Sequence, residues 1–517
     1  MLSIFFGTIS YAQTEVVLEP DSGFLNKLIK ADQEANVGVE KIYVLKRGAT
    51  YFSKGVFANQ GYKLHIKAED GAGALPIIKP YQKDNGTIVP QLIRVFGDLV
   101  LENLHLDGDE GSLPWTNIII QTKSENHKID ITGCTFVNAG QIGVMLLFPA
   151  DYVKVDNCLF LNMGNLAYNN QGNGRVFDCR DSDVNLFSLT NSTFVNSIDR
   201  IVRHRGGGTM KEVIIDHCTM INSASYHGFM ELGGIESFKM TNNLMMDCMG
   251  LGADQFDDER LIELDAHTEQ IDGKAKMVWI GSIPDATGAP VPSTFEISNN
   301  IYSVSTEVQA YYDLVQGNKA VITEGPILTD YTAGKLSNAG TAFLKKDITL
   351  SDIPVSMTDF YAYQTSPTGL DYAKQITNAV SYDMKDYAYW TSTLDCKYTT
   401  SDGDFMGSDG FPVGDKRWGS VVNGLSNNEF NSDATKLLSY PNPFTNKLNV
   451  EFNLEQFSDV TIDIHDITGK LVRKLEMGNM GPGRNSVVIQ KDNLQKGIYL
   501  MKLYAGGNSS YAKIIVE

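Results

Sequence analysis

No stretch of this 517-residue chain approaches the roughly 18 consecutive apolar residues of a membrane-spanning helix, so no span is expected. Basic residues are scarce: Lys and Arg number 43 against 62 Asp and Glu, a formal net charge of −19. A phosphate backbone would be repelled overall, which argues against nucleic acid as a partner. It leaves open the capture of an acidic polysaccharide by one local basic patch. The eight histidines form no H-E-x-x-H and the six cysteines no C-x-x-C, so no zinc constellation stands out, and neither does a conventional nucleophile. The N-terminus lacks something too. MLSIFFGTISYAQTE reads as the apolar part of a secretory signal, with small Ser10 and Ala12 ahead of Gln13, yet no Lys or Arg precedes it. Residues 1–12 are expected to be a signal peptide shortened at its start; the competing reading is an apolar first strand.

What is present is a core-forming composition, 42% hydrophobic with 10% aromatic residues, which excludes global disorder. It is organised as a repeat. The segments ITGCTFVNAG (131–140), VDNCLFLNMG (155–164), LTNSTFVNSI (189–198), IDHCTMINSA (215–224) and MTNNLMMDCM (240–249) align, with weaker copies at 100–108 and 297–306. Their shared small-residue position falls at Leu104, Cys134, Cys158, Ser192, Cys218, Asn243 and Asn300, at steps of 30, 24, 34, 26, 25 and 57. Short alternating apolar runs at this period, rich in Asn and Gly, signal a β-solenoid rather than a helical repeat. Stacked coils about 4.8 Å apart place identical positions above one another. Cys134, Cys158 and Cys218 then share one inward column with Ser192 and Asn243. They are read as structural thiols, the alternative being a strained disulfide between neighbouring coils.

Together with KIYVLKRGATYFSKG (41–55), HIKAEDGAGALPII (65–78) and GFPVGDKRW (410–418), these coils resemble the right-handed parallel β-helix superfamily of pectate-lyase-like proteins. More closely, they resemble its Bacteroidetes branch ending in Gly-Asp-x-Arg-Trp. The resemblance spans residues 20–420 or so, and FLNKLIKADQEA (24–35) suits an amphipathic helix whose Phe24, Leu25, Leu28 and Ile29 plug the open end. Residues 423–436 read as a polar linker. Beyond them, YPNPFTNKLNVEFNL, VTIDIHDITGKLVRKL, KGIYLMKLYAGG and YAKIIVE alternate as the short strands of a small β-sandwich. Their order closely resembles the C-terminal sorting domain of the Bacteroidetes type IX secretion system, the competing reading being an ordinary immunoglobulin-like binding module. The expected fold is therefore all-β: a right-handed parallel β-helix over 13–422, then an immunoglobulin-like sandwich over 437–517. The resemblance implies export by the type IX machinery, followed by tail removal with release or surface attachment. A monomer is expected.

DRIVRHRGGG (199–208) concentrates positive charge in an acidic chain. Aligned on the small-residue column, Arg203 lies over Phe229, Arg205 over Glu231 and Ile201 over His227. Alternation then puts Arg203 and Arg205 outward with Asp178 and Arg180 beside them, and His204 inward. Two readings follow. One is a solvated ion-pair ladder, Asp178–Arg203 and Arg205–Glu231. The other is a cleft for uronate sugars, in which an Arg fork grips a carboxylate. β-Elimination needs that carboxylate neutralised, a base for the C5 proton and an acid for the leaving oxygen. Arg203 and Arg205 are the candidates for neutralisation and abstraction, and His227 or Tyr226 for base or acid. Asp178, Arg180, Tyr226 and Glu231 are the candidate substrate contacts, and Gly206–Gly208 would admit a bulky chain. Bases of the Lys, Arg, His or Tyr type are what the lyase resemblance implies. VIIDHCT (213–219) is similar to W-I-D-H of family 1 pectate lyases, but R-x-P-x-x-R is missing, and so is the complete polygalacturonase set. Inverting hydrolysis is therefore not expected. No cofactor is required by the sequence. Calcium is a candidate at ADQFDDERLIELDAH (253–267), against the plainer reading of a solvated acidic loop. The enzyme reading is a polysaccharide lyase; its rival is a non-catalytic surface glycan-binding or adhesive protein.

Overall fold

The computed structural model of the chain describes residues 14–111, 115–164, 174–224, 229–248, 253–254, 292–316, 322–323, 327–328, 330–352, 357–358, 394–421, 437–454, 457–466, 470–481, 483–505 and 508–516. The signal segment and the linker lie outside them. The chain divides into two units, residues 74–423 with 1–69, and residues 424–517 with 70–73.

The larger unit is built from three stacks of parallel strands, one strand of each per full coil. The first runs from Thr14–Leu18 and Lys41–Leu45 through Ala150–Asp156 and Val184–Thr190. The second runs from Thr50–Ser53 through Thr135–Ala139, Leu159–Met163, Thr193–Ser197 and Thr219–Ser223 to Phe343–Lys345. The third runs from Phe57–Ala58 through Ile142–Met145 to Arg175–Arg180. The long strand Val202–Asp216 joins the first and third stacks, pairing with Arg175–Arg180 at one end and Val184–Thr190 at the other.

The turn between the first and second stacks explains the Asn-rich repeat. Asn103, Asn157, Asn191, Asn242 and Asn299 have φ of 56, 55, 45, 59 and 54°, a left-handed conformation that Asn tolerates better than most residues. Each precedes a member of the small-residue column. That column is a hydrogen-bond ladder: Cys158 N–H donates to Ser192 Oγ at 3.0 Å, Cys218 N–H to Asn243 Oδ1 at 2.8 Å, and Asn243 N–H to Asn300 Oδ1 at 3.1 Å. All six cysteines are free and buried, so the thiols are packing groups. Burial pushes the Cys134 thiol up to about 12, which removes its reactivity at neutral pH. A second ladder follows the second stack, where Asn162 Nδ2 donates to Asn138 Oδ1 at 3.1 Å and Asn222 Nδ2 to Asn196 Oδ1 at 2.9 Å. Inside, Phe136, Phe160 and Phe194 stack coil on coil at 4.6 and 5.4 Å between centroids.

The helix Leu25–Ala35 buries Leu25 and Ile29 in the core. Phe24 does not join them. It is the N-cap residue, only half-buried, and its ring packs 5.1 Å from Tyr81 outside the core. The amphipathic stripe is thus narrower than the sequence suggested, because the helix starts one residue later. Leu28 is likewise half-buried.

From Thr135–Ala139 onward the outward face of the second stack is apolar and covered. Val137, Leu161, Val195, Ile221 and Leu244 pack against Ile348, Leu350, Leu394, Tyr398, Phe405 and Val413. GDKRW anchors this strap. Asp415 accepts from Thr193 Oγ1 at 2.7 Å, Arg417 Nη2 donates to Cys158 O at 2.9 Å, and Trp418 Nε1 donates to Thr193 Oγ1 at 2.8 Å. Gly414, at φ 79°, sits where a Cβ would come within 2.7 Å of Thr219 Oγ1. The motif is therefore a clasp. Trp418→Phe keeps an aromatic ring but a smaller one and deletes the donor, so urea unfolding should show a loss of at least about 1 kcal/mol.

The smaller unit has two antiparallel sheets. One comprises Leu438–Tyr440, Lys447–Leu454 and Gly483–Gln490, the other Leu471–Met480, Ser458–Asp466, Gly497–Ala505 and Asn508–Val516. They share one apolar cluster, with Phe444, Val450, Ile462, Met501 and Ile514 buried in it.

Candidate functional site

The third stack presents the DRIVRHRGGG residues. Val202 is in register with Phe177 and Met230, and all three point into the core. Their neighbours Asp178, Arg203 and Glu231 therefore point away from it. Arg203 lies over Glu231 and Arg205 over Gly233, not over Phe229 and Glu231 as the column alignment gave. Ile201 N–H donates to Phe229 O, so Ile201 lies level with Phe229 rather than His227. The slip is two residues, because the corner ahead of Met230 is longer than the one ahead of Val202. An even slip preserves the face, so the expected alternation survives. His204 points inward, is fully buried, and has Nε2 3.0 Å from Ser182 O. Burial holds its imidazole below the ordinary range.

The outward residues are not open to solvent. Asp178 and Glu231 are 0% exposed and Arg203 is 7% exposed. Asp178 anchors an ion-pair network: Arg203 Nε and Nη2 donate to its two oxygens at 3.0 and 3.2 Å, Arg175 Nη1 donates at 3.1 Å, and Arg180 Nε lies 3.3 Å away. Arg175 also reaches Asp199 at 3.0 Å, and Arg200 reaches Glu231 at 3.1 Å. Burial alone would raise Asp178, but Arg175, Arg203 and Arg180 outweigh it and hold the carboxyl below the usual range. Burial pulls Arg175 down to about 10 against the pull of Asp178 and Asp199. The expected Arg205–Glu231 pair is not formed; Arg205 Nη2 donates to Asp181 at 2.8 Å. Sequence reading passed over Arg175, Asp199 and Arg200 as partners. Arg175 and Asp178 are three apart, a spacing that strict strand alternation puts on opposite faces, so alternation does not show their contact.

Gly207 and Gly208 do not make room for a ligand. A Cβ on Gly207 would meet Asp181 Cβ at 2.8 Å, and one on Gly208 would meet Asp181 O at 2.4 Å. The glycines let this coil press against the corner below it. Beneath Arg175 and Asp178 sit Ile142 and Met145 in register, which with Ile118 form a small apolar cluster apart from the core.

Two arginines of this cluster are partly exposed. Arg180 and Arg205 have side chains 37% and 35% exposed. Arg180 has φ 50° at a bulge after Asp178, so that Arg180 rather than Cys179 stands in register with His204. Bulges of this kind re-aim a side chain. In both arginines Nε is buried and lacks a hydrogen-bond partner among the described residues. Burial lowers Arg180 from the ordinary range, Asp178 opposes this, and Arg203 and Arg205 add to it.

Tyr226 and His227 lie outside the described residues, as does all of 253–267 beyond the strand Ala253–Asp254 and so most of the calcium candidate. Among the described residues, no group of three or more His, Cys, Asp or Glu side chains is placed to hold a metal ion. Among the described residues, no helix is long and apolar enough to cross a membrane.

Residues 439–517 match the family described as the secretion system C-terminal sorting domain. No curated protein matches the chain. The sorting domain marks the protein for secretion by the type IX system of Bacteroidetes and for attachment at the cell surface.

Proposed function

We propose that the surface-displayed unit is a right-handed parallel β-helix that recognises uronate-containing polysaccharide, with Arg180 and Arg205 as the carboxylate contacts. One observation carries this reading. Arg180 is the exposed member of the ion-pair network on Asp178, its side chain 37% exposed while Arg175, Arg200 and Arg203 are buried. A ligand carboxylate would pair with its exposed guanidinium. The buried tier pre-orients the guanidinium, so little order has to be created on binding. Arg203, tied at two points to Asp178 and buried, is a positioning residue in this reading, and its expected role in abstraction passes from it. Asp178 and Glu231 become supports rather than sugar contacts.

Recognition without cleavage is favoured because the arginines expected to do chemistry are held in ion pairs. A second reading, cleavage by β-elimination, draws on the lowered Arg180. An arginine closer to its neutral form is a better base for the C5 proton. Both are tested by mixing the full chain with alginate and polygalacturonate while following retention and the ultraviolet absorbance of unsaturated product. Arg180→Ala should weaken binding roughly ten- to hundredfold, the loss of one charge-assisted fork. Arg205→Lys should also weaken it, because an ammonium lacks the planar two-donor geometry. Wild-type binding by Arg180→Ala would sink the proposal, and a rise in absorbance with the wild type would replace recognition with lyase activity.

A further inference from the structure

A second cluster of exposed side chains lies at the N-terminal end of the same unit. Phe52 and Tyr81 are 39% and 41% exposed, and their rings meet edge to face at 5.6 Å. Phe24 completes the group from the helix N-cap, 5.1 Å from Tyr81. Three aromatic rings grouped together and left partly exposed on a folded chain offer a face that a ligand can cover. Phe52 is in this position by register: in Thr50–Ser53 the neighbours Tyr51 and Ser53 are buried and Phe52 faces out. The patch is also locally cationic. Lys27 and Lys54 each hold Nζ 5.5 Å from the Phe24 ring centroid, and Asp84, ion-paired with Lys54, is the carboxylate beside them. Among the described residues in these contacts that is two positive charges against one negative, in a chain whose net charge is −19.

We propose that Phe24, Phe52 and Tyr81, with Lys27 and Lys54, form a separate subsite for an acidic polysaccharide. Pyranose rings carry C–H groups on their faces, which pack on aromatic faces, and the ammonium groups take the sugar carboxylates. The subsite rests on the ligand class proposed above but on none of the residues used there. Geometry links the two. The strand Phe57–Ala58, which follows Phe52 in the same coil, lies four rungs before Arg175–Arg180 in the third stack. At about 4.8 Å per rung the separation along the axis is about 20 Å. One polymer chain can span that length, whereas a short oligomer occupies one site at a time, so the second contact becomes intramolecular for the polymer alone.

The test is affinity electrophoresis of the full chain through gels cast with alginate or polygalacturonate, with short uronate oligomers as competitors and thermal unfolding as a control. The Phe52→Ala/Tyr81→Ala double variant should lose roughly tenfold in polymer affinity while its oligomer binding at the arginines is unchanged. Lys27→Gln, on an exposed helix position, should lose about threefold at low salt with an unaltered melting temperature, and it decides the matter if the double variant unfolds. Wild-type retardation in both variants overturns the subsite. Retardation lost by Arg180→Ala but kept by the double variant also overturns it and leaves the arginine reading standing. Loss in the double variant with wild-type behaviour of Arg180→Ala supports the subsite and removes the arginines. Equal retardation by a neutral glucan overturns the acidic ligand class.

Discussion

Asp178→Ala is expected to cost the parallel-sheet unit about 3–5 kcal/mol, because it leaves Arg175 and Arg203 buried beside an empty space where their common counter-charge had been. The neighbouring exposed pair gives the contrast. Arg205→Ala, which breaks an ion pair with both partners at least a third exposed, should cost about 1 kcal/mol or less. Urea unfolding of the two variants measures the difference, and equal effects would mean that the network is not buried in solution. Acid provides an independent readout. The Asp178 carboxyl is held below its unfolded value, so its contribution is complete at neutral pH and disappears as pH falls through the folded value. The wild type should lose stability below about pH 4, where unfolded Asp takes up its proton, and Asp178→Asn should have a shallower acid limb.

Phe160→Ala should be comparably severe, about 3–5 kcal/mol. Phe160 is fully buried, sandwiched between Phe136 and Phe194 and 5.1 Å from Phe177. Truncation opens a void in the middle of the stack, where the coils above and below are held at their spacing by the backbone ladders and cannot collapse into it. Hydrogen exchange should show the damage spreading to adjacent coils first, as nearest-neighbour coupling in a stacked repeat requires. An effect below about 1 kcal/mol would mean that the stack relaxes freely.

The parallel stacks were legible because one motif, Asn followed by a small residue, recurs at the turn that only a left-handed residue makes well. Cys158, Ser192, Cys218 and Asn243 fall in one ladder because each follows the same left-handed turn, although the steps between them are 34, 26 and 25 residues. The charge cluster was less legible. Its face was read correctly from alternation, but its partners were not, since corner lengths change from coil to coil and shift the register of whatever follows. Glu231 slid from Arg205 to Arg203 in this way. The helix Thr306–Gln316 was missed although Val308, Tyr311 and Tyr312 stand at helical spacing and are buried. It interrupts a strongly β-patterned region, and the repeat drew attention from it. GDKRW carried a resemblance but no hint of what it touches, because its partners are some two hundred residues away.

That distance has a consequence for how the protein is made. Thr193 waits for Asp415 and Trp418, which follow it by 222 and 225 residues. At synthesis rates of about 5–20 residues per second, the clasp arrives roughly 10–45 s after the coil it closes. Strands can pair in order as they emerge, each on the last, but the apolar strip of Val137, Leu161, Val195 and Ile221 is not fully covered until Ile348 and Leu350, and then Leu394, Tyr398, Phe405 and Val413, have followed. A nascent chain in this state is a target for chaperones that hold rather than fold, and a hazard at high concentration. Chains stopped before residue 415 should therefore aggregate even though most of their coils are complete.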